Sequence, residues 1–576
     1  MKPRVWAPFA ARVDLLAGNS RQAMRAGKRG WWASDLDLEP GTDYQFSLDG
    51  EPGLPDPRSR HQPGGVHGPS RVVAARNSPP GAESGGIDMR HAVVYELHIG
   101  TFTPEGTFAA ARGRLDHLVD LGIDVVEIMP VNAYAGHHGW GYDGVALYAV
   151  HEAYGGPDGL GEFVDACHRR GLKVVLDVVY NHLGPDGNHL GRFGPYFTDR
   201  YRTAWGDAVN LDGPDSDLVR RFLIENALMW LGDYDVDGLR IDAVHALFDR
   251  SALHFLEELA TNVSRLETET GRRYTLIAES DLNDPRLVWP RDRGGYGLAA
   301  SWSDDFHHSL HAVLTGERIG YYEDFGRLGD VTKALQDAYV YDGRFSPHRR
   351  RRHGRSPRGM AGYAFLGYLQ NHDQVGNRAR GDRISHIAGT QLQKVGAALV
   401  LTSPFVPMIF QGEEWAASAP FPYFTDHEAE LGAAVRRGRR GEFAAFGWDP
   451  DQIPDPQDPA TFAAAKLKWS ETDQPGHADV LDWYRRLIAL RRSTPDLTDG
   501  RLDRVRATAD ESGGILIVER GSMMVVANFF ERTAGIEAAP GAELVMASAE
   551  VTDSGDQIEL APASVAIMRR GQEAIR

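Results

Sequence analysis

The sequence predicts an α/β protein with a central (β/α)8 barrel, a β-sandwich before it and a β-domain after it. Three observations lead there. From about His91 onward, eight short apolar runs alternate with helical patterns, the rhythm of βα units around a parallel sheet, and eight strands are what a closed barrel needs. Period-two patterns broken by Gly, Pro and Asp flank that region on both sides. The 576 residues are also too many for one core, because single cores stop growing near ~250–300 residues.

The elements follow in order. Residues 1–85 carry "RVWAPFAARVDLL", "WWASDLDL" and "YQFSLDG", short alternations that predict a small β-sandwich. A Pro- and Gly-rich linker follows, "LPDPRSRHQPGGVHGPSRVV" and then "NSPPGAESGGIDM". Residues 86–495 hold the barrel, with predicted strands at 93–98, 124–129, 173–178, 238–242, 275–280, 298–303, 364–370 and 405–410. Between them, "RLDHLVDLG" puts Leu115, Leu118 and Val119 on one helical face with Gly122 as the stop, and "DSDLVRRFLIENALMWL" aligns Leu218, Phe222 and Met229. The last helix is "DVLDWYRRLIALRR". In residues 496–576, "GILIVERGSMMVVANFF" reads as two strands about Gly521 and "SVAIMRR" as a closing strand.

Composition narrows the function. Hydrophobic residues at 42% support a folded chain, and 62 Lys+Arg against 80 Asp+Glu give a formal charge of -18. Such a charge repels nucleic acid and anionic lipid, so neither is an expected partner. The one basic run, "HRRRRHGRSPRG" from His348 to Gly359, is expected to be a solvated loop. The only cysteine, Cys167, falls on the buried side of a predicted helix. With no apolar stretch near the ~18 residues of a membrane span and no leader-like N-terminus, the expectation is a reduced, cytoplasmic protein.

In a parallel barrel, ligand sites lie at the C-terminal ends of the strands. Four predicted strands end in polar clusters: Asp177 and His182 in "VVLDVVYNH", Arg240, Asp242 and His245 in "GLRIDAVH", Glu279 in "LIAESD", and Asn371, His372 and Asp373 in "LGYLQNHDQVGNR". Side chains alternate along a strand, so Arg240 and Asp242 face the barrel mouth while Leu239 and Ile241 face the helices. A lone Arg-x-Asp fits a structural ion pair better than a reactive one. Three further strands that bring acids to the same rim favour chemistry, with Arg240 opposing the cost of burying its carboxylate neighbour. Convergent carboxylates serve either metal binding, with His182 and His372 as further ligands, or acid/base work on an acetal. Trp140 and Tyr142 in "HHGWGYDGVALY" point to the latter, because flat rings suit sugar faces.

With these residues in view, "DVVYNH", "GLRIDAVH", "IAES" and "QNHD", in this order, resemble the four signature segments of the α-amylase superfamily of glycoside hydrolases and transglycosylases over about residues 91–500. The resemblance implies Asp242 as nucleophile, Glu279 as general acid/base and Asp373 as the third carboxylate. It implies Asp177, His182, Arg240 and His372 around the reacting glucose, and Tyr142 stacked upon it. It also makes the N-terminal sandwich carbohydrate-module-like. His245 is followed by Ala246 where many amylases have Lys-His. Asn181 matches one calcium ligand position, but the segment after it is short, so no metal and no cofactor are expected.

Within that superfamily, Gln374 after the third acid, "WSDDFHHSLH" with Asp304, Asp305, His307 and His308, and "RRGRRGEFAAFGW" before "PDPQDPATFAAAKLKW" resemble the maltooligosyltrehalose trehalohydrolases. That implies hydrolysis, with retention, of the α-1,4 bond beside the trehalose end of a maltooligosyltrehalose, related α-glucans being the other ligands. Retention calls for two carboxyl groups about 5–5.5 Å apart and an acid whose pKa is raised. A companion maltooligosyltrehalose synthase is implied, without sign of a stable complex. A solvated basic face for Arg436–Arg440 and ordinary packing for Trp448 and Trp469 stay open, as do two rival functions, a 1,4-α-glucan branching enzyme and a non-catalytic glucan-binding protein.

Overall fold

Eight parallel strands close the barrel: β1 (Val94–Leu97), β2 (Val125–Ile128), β3 (Lys173–Val178), β4 (Gly238–Ile241), β5 (Thr275–Ala278), β6 (Ala300–Trp302), β7 (Phe365–Tyr368) and β8 (Val406–Phe410). Each pairs with the next in sequence, and β8 returns to β1. All eight lie within the predicted runs. This is a computed structural model, and it describes residues 1–74, 86–444, 453–537, 541–555 and 557–571, the side chains of 442–444 excepted. Residues 77–85 of the predicted linker and Trp448 lie outside the described residues.

Alternation along these strands builds two cores. Val94, Val125, Val175, Ile277, Leu366, Val406 and Met408 fill the barrel interior, while Leu97, Val126, Leu176, Leu239 and Ile241 pack outward into the much larger core shared with the helices. Burying a side chain of this size contributes roughly 1.5–3 kcal/mol, so the apolar layers stabilise the barrel despite its charged rim.

The helices follow their stripes with one correction. In Leu115–Leu121 the buried residues are Leu115, Leu118 and Leu121, whereas Val119 is exposed, because the face advances by three residues per step in this short helix. Leu218, Phe222 and Met229 are buried along Ser216–Gly232. Cys167 is buried in Gly156–His168, where burial pushes its thiol pKa up, away from nucleophile chemistry.

Ahead of the barrel, a three-stranded sheet (Arg4–Trp6, Trp31–Ala33, Arg25–Ala26) and a four-stranded sheet (Ser20–Ala23, Val13–Ala17, Asp43–Leu48, Ser70–Arg71) enclose Val5, Trp6, Val13, Leu15 and Phe46. After it, Ile515–Arg520 and Met523–Asn528 turn at Gly521, whose φ is 57°, and Ser564–Arg569 pairs with the second of them. The basic run is not a solvated loop throughout. Arg351–Gly354 pairs with Asp342–Ser346 as a hairpin, with Arg349 held by Asp281 at 3.0 Å, because nearby acids and the left-handed Gly343 and Gly354 let the charged stretch fold back. Among the described residues, no helix is long and apolar enough to cross a membrane.

Candidate active site

Parallel register fixes the floor of the site. Asp177 on β3 is the partner of Arg240 on β4, and Glu96 on β1 that of Glu127 on β2, so four ionisable side chains enter the upper barrel from neighbouring strands. Arg240 is the hub. One of its nitrogens donates to Asp177 at 2.7 Å and to Asp242 at 2.8 Å, a second lies 3.8 Å from Glu279, and the guanidinium rests 4.2 Å from the Trp302 ring centre. Burial works against its charge, but Asp177, Tyr142, Asp242 and Glu279 outweigh burial and hold its pKa well up. Asp177 is itself pushed up to about 6 by burial, with Arg240 opposing the shift.

The chain beyond each strand then sets the acids. Asn181 Nδ2 donates to Asp242 Oδ2 at 2.7 Å and to its carbonyl at 3.0 Å. Directly after Asp242 the backbone enters the left-handed region at Ala243 (φ 39°, ψ 52°), a conformation costing roughly 1–2 kcal/mol outside glycine. That turn aims the Ala243 N–H at Glu279 Oε2, 2.5 Å away. Burial, followed by the charges of Asp242, Asp304 and Asp373, raises Glu279 well above an ordinary glutamate in spite of Arg240. The direction of this shift is the one expected of a general acid, whose pKa its surroundings raise.

His372 and Tyr142 cover the same floor. His372 Nδ1 lies 2.5 Å from Glu96 Oε1, and its backbone N–H donates to Glu96 Oε2 at 3.0 Å. Burial disfavours the imidazolium, yet Glu96 and Asp373 hold the pKa at about 9. Gly141 has φ 100°, and a Cβ there would collide with the Pro130 carbonyl, so only glycine lets this loop fold back onto the end of β2. The fold-back carries Tyr142 to Asp177, to which its hydroxyl donates at 2.6 Å, and stacks its ring on His372 at 5.1 Å.

Asp242, Glu279 and Asp373 line one cavity of about 970 Å³, together with Tyr142, His182, His245 and His372. Asp177 and Arg240 support it from beneath. The other predicted contacts are not on its wall. Asp305 accepts from the Val340 and Tyr341 amides and Asn283, each at 2.7 Å, and His307 faces the Leu369 carbonyl at 2.8 Å and the Tyr322 hydroxyl at 3.0 Å. His308 is buried against Tyr321, Asp304 accepts from the Tyr368 hydroxyl, Asn371 caps the helix His372–Gly376 through the Gln374 amide, and Gln374 Oε1 accepts from Tyr322 at 3.3 Å. These six hold the loops that carry the wall rather than forming it.

Sequence reading missed Glu96, Glu127, Trp205 and one face of the helix Ala429–Ala444. Glu96 and Glu127 were detectable, since "VVYELH" and "DVVEIM" place a glutamate in the inward register of an apolar run, the signal used for Arg240. Glu127 lies buried beside Glu96, and burial followed by that neighbour raises its pKa well up. Trp205 stands at the tip of the hairpin Phe197–Val209, half exposed, its ring 4.3 Å from His182 and nearly parallel to it. Leu431, Val435 and Arg439 of the helix form the opposite wall, so this basic run is only partly a solvated face. Trp469 is a packing residue, donating to the Phe102 carbonyl at 2.7 Å.

The calcium position of the resemblance does not fit. Asn181 directs its nitrogen to Asp242, and its oxygen lies 2.5 Å from His182 Nδ1. Among the described residues no group of three or more His, Cys, Asp or Glu is arranged to hold a metal ion.

Known proteins share both the sequence and the fold. Residues 83–193 match the alpha amylase catalytic domain family. The chain is 51% identical to the malto-oligosyltrehalose trehalohydrolase of Arthrobacter ramosus, over 98% of this chain and 99% of that one, and 50% identical to that of Rhizobium sp. (strain M-11), over 98% and 97%. A crystal structure of a protein from Salmonella typhimurium superposes with a TM-score of 0.91 at 38% identity, covering 99% of this chain and 97% of that one. A 1,4-alpha-glucan branching enzyme of Corynebacterium jeikeium is 29% identical over 58% of this chain and 53% of its own.

Proposed function

This chain belongs to the malto-oligosyltrehalose trehalohydrolase family, glycoside hydrolases of the α-amylase group, and from that premise we propose how its own residues release trehalose. The bond cut is the α-1,4 linkage beside the trehalose end of a maltooligosyltrehalose. Asp242, held by Arg240 and Asn181, attacks the anomeric carbon while Glu279 delivers its proton to the departing oxygen of trehalose. A covalent glycosyl-enzyme results. Glu279, now a carboxylate, takes a proton from water, and the water oxygen displaces Asp242 with net retention. Asp373 stabilises the charge that develops on the ring, and Tyr142 stacks beneath the sugar.

The observation that carries this reading is the convergence of Asp242, Glu279 and Asp373 on a single cavity, with Glu279 the acid whose surroundings raise its pKa. We assign residues 1–85 to a carbohydrate-module-like sandwich, 86–495 to the catalytic barrel and 496–576 to a C-terminal β-domain. A cytoplasmic location keeps the lone Cys167 reduced, and the synthase that makes the substrate would share that compartment without forming a stable complex.

The test is product analysis on maltopentaosyltrehalose and on maltoheptaose. Free trehalose from the first and no comparable hydrolysis of the second is the expected result. New α-1,6 branches would replace the proposal with glucan branching, and tight binding without turnover would replace it with a binding protein.

A further inference from the structure

The three acids are not held alike. Asp242 has Arg240 and Asn181, and Glu279 has the Ala243 amide. Asp373 opens to the cavity with 42% of its side chain exposed, and His372 Nε2 stands 3.5 Å from its Oδ1. That same oxygen accepts from Asn377 Nδ2 at 3.3 Å, one helical turn further along. A carboxylate this open keeps its rotamer freedom unless a neighbour fixes it.

Asn377 can do that in only one orientation. Its amide ends in an acceptor on one side and a donor on the other, and the acceptor turned toward Asp373 would repel it. Arg439 decides the matter. Its Nη1, a donor that cannot accept, lies 3.2 Å from Asn377 Oδ1, which commits the oxygen to the guanidinium and the nitrogen to the acid. Its Nη2 donates at 3.1 Å to the carbonyl of Gly376, the last residue of the short helix that begins at His372, and its plane lies 4.7 Å from the Tyr423 ring. Gly376 itself admits no side chain, since a Cβ would run into the Trp140 indole. The end of this helix is thus pressed by Trp140 and gripped by Arg439.

The helix bearing Arg439 is fastened in turn. Arg436 pairs with Asp455 at 2.5 Å, and Gln457 accepts from the His427 amide at 2.8 Å while donating to Thr425. The "PDPQ" stretch therefore buckles both segments that complete the cavity wall after β8.

We propose that Arg439 is a positioning residue of the reaction: by orienting the Asn377 amide it holds Asp373 toward the cavity, and so the chain beyond β8 governs the third acid. This rests on the reading of Asp373 as one of the three reacting acids. The relay predicts that displacing the acid by a fraction of an ångström costs turnover more than binding.

The test compares full-length Arg439→Ala, Arg439→Lys, Asn377→Ala, the Arg439→Ala/Asn377→Ala double variant and Asp373→Asn on maltopentaosyltrehalose, with kcat, KM and thermal midpoint for each. Each alanine variant should lower kcat about 10–100-fold with KM within about threefold. The double variant should be no slower than the slower single, because both break one chain of contacts, and Arg439→Lys should recover part of the loss. Asn377→Asp adds a second carboxylate beside the first, which should move the acidic limb of kcat/KM to higher pH by at least about half a unit. Losses that multiply in the double variant, or unchanged kcat in Arg439→Ala beside an inactive Asp373→Asn, overturn the relay and leave the acid assignment standing. Normal turnover in Asp373→Asn overturns the assignment itself. Should Arg439→Ala lower the thermal midpoint, Asn377→Ala and the acidic limb of Asn377→Asp decide between relay and no relay.

Discussion

Arg240 at the mouth of the barrel and Arg491 with Arg520 at its foot are all buried, yet they face opposite company. Arg240 meets Asp177 and Asp242, with Glu279 near. Arg491 donates to the carbonyls of Leu401, Ser403 and Phe405, and Arg520 to those of Thr402, Ser403, Leu497 and Asp499. Carboxylates lift the pKa of Arg240 in spite of burial, whereas burial pushes that of the other two down, aided at Arg491 by the charge of Arg520, and the carboxylates of Asp124, Asp496 and Asp499 offset only part of it. At the foot, the two guanidiniums cap the C-terminal carbonyls of the helix Ile384–Leu401 and tie the barrel to the last sheet. A buried arginine among carbonyls is a fastener; among carboxylates it organises ionisable groups that can react.

The comparison breaks most sharply at the acids. Asp242→Asn and Glu279→Gln should each lower kcat by on the order of 10⁴ while the thermal midpoint stays within a few degrees, as steady-state kinetics and calorimetry would report. Near-normal turnover in either would mean that the mouth is a structural ion cluster after all.

Next in size are the arginines. Arg240→Met should cost on the order of 10²–10³ in kcat, since Asp177 and Asp242 then face each other without a cation. Arg491→Met should leave kcat per folded molecule intact and lower unfolding free energy in urea by about 2–4 kcal/mol, as buried carbonyls lose charged donors. The reverse pattern would exchange the two roles.

His372 yields a smaller effect with a definite sign. Its folded pKa of about 9 lies above the ordinary ~6.5, so its pairing with Glu96 stabilises fully below pH ~6.5 and fades as pH rises through about 9. Thermal midpoints should show about 1–3 kcal/mol lost across that window in the native chain but not in His372→Gln. The smallest expected effect is in Asp304→Asn. It removes one of the charges that raise Glu279, so the alkaline limb of kcat/KM should move to lower pH by about half a unit.

Much of this was legible beforehand because strand alternation is a local property. The period of two gives the inward register of Arg240 and Asp242, while the eight strands and the ends bearing Glu279 and Asp373 follow from short apolar runs that alternate with helical patterns and stop at polar residues. Asp305, His307 and Asn371 sit off the cavity wall, a placement the sequence does not show, because a polar residue near a strand end reads the same whether it meets a ligand or a backbone group across the rim. Val119 failed on a helix too short for a stripe to declare its face. The basic stretch around Arg351 became a hairpin because acids distant in sequence, such as Asp281, meet it in space.

By itself the sequence determined the barrel, its flanking sheets, the order of the acids and the pole at which they emerge, since apolar periodicity and turn residues act over a few positions. Tertiary structure alone decided that Ala243 turns its amide on Glu279, that Glu96 charges His372, and that a helix from beyond β8 reaches Asn377. Those outcomes depend on distances between segments up to hundreds of residues apart. Coulombic and hydrogen-bonding energies vary steeply with such distances, and no local pattern encodes them.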